Sequence, residues 1–277
     1  MVRKFLVVAL VTHRIVGADM GLFSGLKKVV KKVASAVDSV INTVGEILGR
    51  IVGLPGFVLD LFVPWPRKKL RMRILILQDE SGGPLSTTRD IVAEARSAYD
   101  LARTVLRREA NVKLITYGSH PRVEILDALP PKGALEPRCR GPFVDFFGAA
   151  GTFYLTHKQY SVSILFLGNG APVTTFVVRE IEGGDKVGCS PGAFADYCTV
   201  SIDGLTFPSS DDVGQTRTVS TTLVHELGHS CGLNYMLGSE HSDDESNLMY
   251  STQKIRGTEM SRLQVAVLRN SRFVTYL

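Results

Sequence analysis

No run of 18 uninterrupted apolar residues occurs anywhere in the 277-residue sequence, which excludes a standard transmembrane helix. Cysteine is scarce. The four present, Cys139, Cys189, Cys198 and Cys231, are too few to define a disulfide scaffold. Cys189 and Cys198 are close enough to staple a loop in an oxidising compartment, and four reduced, buried thiols are the plainer reading. A strong excess of one charge is also missing: Lys and Arg number 32 against 27 Asp and Glu. The surplus gathers in two clusters, 27–32 and 67–73, which point to local contact with an acidic surface. No nucleic-acid-binding signature accompanies them, so no nucleic-acid partner is expected. Internal repeats and low-complexity tracts are absent, which excludes solenoids and arrays. What is present is 44% hydrophobic and 21% charged residues, the composition of a globular chain with a sizeable core. The length suits one enzyme domain with an appendage.

Residues 1–20 begin with basic side chains, continue with an apolar run at 5–11 and reach small residues at Gly17 and Ala18. This is the layout of a short signal peptide and implies a secreted or extracytoplasmic protein; Met20 offers an alternative start. From 21 to 53, Leu26, Val30, Val33, Val37, Val40, Val44, Ile47 and Ile51 alternate at spacings of four and three, the pattern of a long amphipathic helix. Lys27, Lys28, Lys31 and Lys32 lie off that stripe and oppose the helix dipole, which an anionic membrane surface would relieve. Packing in an oligomer or on the rest of the chain is the other reading. Pro55 ends the helix, and an apolar, then basic, linker runs to residue 71.

From residue 72 to 277 strands and helices alternate. Strands are expected at 73–77, 111–117, 161–167 and 197–202, a further edge strand at 174–181, and a helix at 87–109 capped by Ser86, Thr87 and Thr88. Residues 118–141 read as loop. This order implies an α/β domain with a mainly parallel, twisted sheet.

The chemistry is concentrated in TLVHELGHSCG at 222–232. His225 and His229 are four apart, so on a helix they face the same way and can share one tetrahedral ion. Glu226 is turned about 100° from His225, beside the metal and not on it, where a carboxylate can polarise a water. Gly232 follows His229 by three residues and can end the helix in a left-handed conformation.

These residues resemble the HExxHxxGxxH motif of the metzincin clan of zinc metalloproteases, and Asn247, Leu248, Met249 and Tyr250 resemble that clan's methionine turn. The resemblance implies a metzincin-like zincin fold with an active-site helix and a C-terminal helix, the latter matched at 260–274 with Ser261 and Gln264 spaced as a capping box. The clan's third histidine would fall at Tyr235. His241 stands six residues further on and eight before Met249, the clan's distance from third ligand to turn methionine, so His241 is taken as the third ligand after an insertion within 234–240. Tyr235 and Asp243 are rival oxygen ligands. The clan's metal-binding tyrosine has no counterpart, since Ser251 holds that place.

The resemblance thus implies a Zn2+-dependent endopeptidase acting on a protein or peptide substrate. His225, His229 and His241 would hold the metal, and Glu226 would act as general base on a water held there. An extended substrate would pair with an edge strand, at 187–190 or 174–178. The alternative is a structural or membrane-interacting component of a virion or secretion assembly, worked by residues 21–53 and carrying a vestigial zinc site. Pro137, Arg138, Cys139, Gly141 and Pro142 resemble the cysteine switch of latent proenzymes, but they lie inside the catalytic region, which favours a buried or disulfide-bonded loop cysteine. Asp211, Asp212, Asp243, Asp244 and Glu245 read as solvated acidic loops.

Overall fold

The computed structural model describes residues 57–276 except 58, 65, 118, 140–147, 159–169, 194, 209–216 and 234–240. The helix expected at 21–53, the segment 1–20, the strand expected at 161–167 and Tyr235 lie outside the described residues. Among those described, no helix is long and apolar enough to cross a membrane.

The fold is mixed α/β around a mostly parallel sheet. Strand β1, Lys68–Ile76, is its spine. Its first half pairs in parallel with β2, Val112–Ile115, and its second half with both β3, Val123–Ile125, and β4, Val173–Val178. Strand β4 pairs in parallel with β6, Tyr197–Ser201, whose other side carries the antiparallel edge strand β5, Gly188–Cys189. Alternate side chains of β1 enter two cores, as the period-two geometry of a strand requires. Leu70, Met72, Ile74 and Ile76 join the core beneath three helices: α1 (Ile91–Ala110), α5 (Thr222–Ser230) and α6 (Arg262–Arg269). Leu75 and Leu77 meet the short helices α2, Lys132–Leu135, and α3, Ala149–His157, on the opposite face. A one-turn helix α4, Ile202–Leu205, and a hairpin of β7, Thr206–Pro208, with β8, Arg217–Val219, lead into α5.

Several sequence expectations are corrected. Strand β1 starts at Lys68 and takes in most of the basic cluster 67–73, several of whose charges are engaged within the chain. Lys68 is buried against Asp60 at 3.0 Å, Arg73 pairs with Glu124, and Arg67 donates to Asn111. Asp60 itself is buried and also accepts from Arg269 Nε at 2.7 Å and Asn270 Nδ2 at 3.0 Å. The folded unit therefore includes residues ahead of 72. Helix α1 is capped by Asp90, whose side chain accepts from Ala93 N, and not by 86–88. The 118–141 segment contains β3 and α2. Strand β4 is central, not an edge, and all six of its residues are buried. The Ser261 and Gln264 capping box forms as expected.

The cysteines pair differently from the expectation. Cys139 is bonded to Cys189, and Cys198 and Cys231 are free and buried. Burial pushes both free thiols up to about 12, so they stay protonated and unreactive at neutral pH.

Candidate active site

Helix α5 is short and buried along its whole length. It packs between the sheet and α1, which fixes the direction in which its polar side chains leave the core. It ends in a Schellman arrangement: Gly232 adopts φ +91°, its N–H donates to His229 O at 2.9 Å, and Leu233 N–H donates to Gly228 O at 3.1 Å. A side chain at that φ is costly, so glycine is what lets the chain leave the helix here.

The structure brings the three expected histidines together. His225, His229 and His241 each offer one nitrogen, and these atoms lie within 4.8 Å of one another. His225 Nε2 and His229 Nε2 are 3.0 Å apart, within the span of two zinc–nitrogen bonds of about 2.1 Å. The rings of His225 and His241 are nearly parallel with centroids 5.3 Å apart, and His229 stands across both. His225 Nδ1 bonds Leu248 O at 2.8 Å. With the proton on Nδ1, the Nε2 lone pair is left facing the cluster, the tautomer a ligand requires. Burial, then the neighbouring His229, hold the His225 imidazolium well below the ordinary histidine range, so the ring is a neutral donor at pH 7. A trio of imidazoles is compatible with zinc. Asp243, the described rival ligand, is exposed and outside the cluster.

The turn at 247–250 packs against α5. Met249 is buried, and a Cβ built on Gly228 would stand 2.9 Å from Met249 Sδ. Ser242 N–H donates to Met249 O at 2.9 Å, tying the residue after His241 to the turn. Asn247 and Gln264 exchange side-chain amide hydrogen bonds at 2.9 and 3.0 Å, and Asn247 Oδ1 also accepts from Met249 N. Helix α6 thus holds the turn, and the turn holds His225 through Leu248 O. Sequence reading missed this Asn247–Gln264 pair; Gln264 stood out only as part of a cap.

Glu226 is 5% exposed. Burial pushes its carboxyl up to about 8, against the pull of Arg256 and Lys186. Its carboxylate rests on the backbone of β5: a Cβ on Gly188 would lie 2.3 Å from Glu226 Oε1. The edge strand expected at 187–190 is therefore beside the candidate base, whereas the alternative at 174–178 is interior. Arg256, also overlooked in the sequence, is 9% exposed in the loop after the turn. His120 is exposed, and His157 is engaged locally with Phe153 O and Thr156; neither joins the cluster. Asp244 turns its carboxylate onto Ser246 N and Oγ within its own loop. Cys139, being disulfide-bonded, has no thiol to place on a metal.

No family model matches the sequence, and no curated protein is similar to it. Among solved structures, the chain is similar to metalloproteinase-II from Bacteroides fragilis at 11% identity and a TM-score of 0.36, covering 70% of this chain and 49% of that one. This chain thus matches about half the length of that protein. It is likewise similar to a zinc-dependent peptidase from Methanocorpusculum labreanum, with 14% identity, a TM-score of 0.36, and coverage of 70% of this chain and 99% of the other.

Proposed function

We propose that the protein is a metzincin-type zinc endopeptidase in which His225, His229 and His241 hold the metal and Glu226 is the general base. The observation that carries this is the convergence of three imidazole nitrogens within 4.8 Å, next to a buried carboxylate one residue along the same helix. Zinc, when bound there, supplies the Lewis acidity that lowers a water's pKa toward 7 and polarises a carbonyl. With a substrate present, Glu226 would be the group that accepts a proton at that site and returns it to the leaving amine. Its raised pKa, near 8 before metal binds, suits a group that must both accept and return a proton near neutral pH. His225 is kept in its ligand tautomer by Leu248 O. An extended substrate adds to the outer edge of β5, which is unpaired among the described residues, and its backbone then runs beside Glu226. The Cys139–Cys189 disulfide supports an oxidising, extracytoplasmic setting.

The test is metal analysis with a casein or peptide-library digest of wild type and Glu226→Gln. About one zinc per chain in both proteins, with hydrolysis in the wild type only, is expected. Loss of zinc from Glu226→Gln would reassign the glutamate, and a wild type that takes up no zinc would end the enzyme reading.

A further inference from the structure

Three large apolar side chains stand out from one helical turn ahead of β1. Leu59, Phe62 and Val63 are 53%, 70% and 55% exposed, and Val63 N–H donates to Leu59 O at 3.0 Å. Residues three and four apart share one face of such a turn, so the three form a single apolar prong. Asp60, in the same turn, is buried and bonded to Lys68 Nζ at 3.0 Å and Arg269 Nε at 2.7 Å. That anchor holds the turn to the domain with its apolar face outward. Exposed apolar residues scattered singly need no explanation, whereas a fixed cluster marks a contact surface.

The surroundings of the prong are basic. Asn111 Nδ2 donates to Pro64 O at 2.8 Å, and Arg67 Nε donates to Asn111 Oδ1 at 3.2 Å. These bonds bring the last turn of α1, with exposed Arg107 and Arg108, to the same end of the domain. Just behind it, the parallel pairing of β1 with β2 sets Lys69 opposite Lys113. Like charges side by side in a sheet are destabilising, and an external anion would relieve them. Segments 57–69 and 107–113 carry six cations and two acids. Both acids are already engaged within the chain, Asp60 as above and Glu109 with Arg108. Exposed Tyr276, its ring centroid 4.9 Å from Lys68 Nζ, lies at the same end.

We propose that this end of the domain docks on an anionic lipid bilayer, whether or not the chain is a peptidase. Leu59, Phe62 and Val63 enter the boundary between headgroups and acyl chains, while Arg67, Lys69, Arg107 and Lys113 stay level with the anionic headgroups. Three side chains supply far less than the roughly 800 Å² per partner of a specific protein interface, whereas attraction to a charged bilayer accumulates cation by cation. Docking here also leaves the candidate site clear. Gly188 pairs with Val200, Val200 with Val177, and Val177 with Ile76, so Glu226 lies beside the row of the last residue of β1. The bilayer meets the first, Lys68. At about 3.3 Å per residue the two rows are about 26 Å apart.

The experiment is co-sedimentation of the full-length protein with vesicles of phosphatidylcholine, alone or with about 30% phosphatidylserine. Wild type should bind the anionic vesicles at least about 10-fold more tightly, and high salt should erase the difference. Phe62→Ser/Val63→Ser and Lys69→Gln/Lys113→Gln should each weaken that binding by about 10-fold. Their melting temperatures should match wild type, because none of the four side chains is buried; if the apolar variant melts early, the lysine variant alone decides. A third variant, Lys27→Gln/Lys28→Gln/Lys31→Gln/Lys32→Gln, isolates the other basic cluster. Binding that is lost only there, with both patch variants like wild type, would overturn the proposal. So would a wild type indifferent to phosphatidylserine. A dimer in lipid-free solution that Phe62→Ser/Val63→Ser dissolves would assign the patch to a second copy and overturn it as well.

Discussion

Gly188 has no side chain, and none would fit without moving the carboxylate of Glu226, 2.3 Å from where a Cβ would stand. Gly188→Ala should therefore leave zinc binding intact and reduce peptide hydrolysis by about 100-fold, since small displacements of a reacting group cost that much. Parallel metal analysis and kinetics check this; an active Gly188→Ala would separate Glu226 from the reaction. The third ligand gives a second prediction at this scale. His241→Ala should severely weaken zinc binding, whereas Tyr235→Phe should leave it largely intact, as read by competition with a chelator. Ser242 N–H on Met249 O holds His241 at a set distance from the turn, and a tyrosine would have to give up a proton with a pKa near 10 to bind strongly. The reverse ranking would transfer the ligand to Tyr235. His225, Glu226 and His229 were legible in the sequence because helix geometry alone relates residues one and four apart. Gly188 was not, because its proximity to Glu226 is created by tertiary packing of a segment 38 residues away in the chain.

At the scale of elements, the strands at 73–77, 111–117 and 197–202 and the helix between the first two were readable from hydrophobic periodicity, and the errors share a physical origin. Strand β4 reads as an edge because Thr174 and Thr175 look solvated, yet both are buried, and Thr175 Oγ1 finds Cys198 Sγ at 3.2 Å across the ladder. The first half of β1 reads as a basic linker because its charges are visible and their partners are not. Lys68 and Arg269 converge on Asp60, and Arg269 Nη1 and Nη2 donate to Ala110 O and Pro66 O. Removing the acid leaves two buried cations unpaired, which typically costs about 3–5 kcal/mol. Asp60→Ala is expected to lower stability by about that much in denaturant titration. A change under 1 kcal/mol would mean that the residues ahead of β1 are dispensable.

For the whole molecule, metal removal is expected to expose an opposition between two buried groups. His225, held below the ordinary histidine range, contributes stability that is lost on acidification below about pH 6.5. Glu226, pushed up to about 8, contributes in the opposite sense: its share is full below the ordinary carboxylate pKa and is lost as pH rises through 8. Between pH 6.5 and 8 the His225 share is complete and only the Glu226 loss remains. The melting temperature of chelated wild type should therefore fall over that window relative to chelated Glu226→Gln. A difference that stays flat would show that Glu226 is not so deeply desolvated. Zinc at about 1,000 times its Kd should then raise stability by about 4 kcal/mol at fixed pH.

The Cys139–Cys189 bond closes a covalent ring of the chain with its cysteines 50 residues apart. Strand β4 and helix α3 lie wholly inside that ring. A single cut anywhere within it, self-inflicted or not, frees no fragment. On a gel without reductant such a nicked molecule migrates as one chain, and only reduction reveals two.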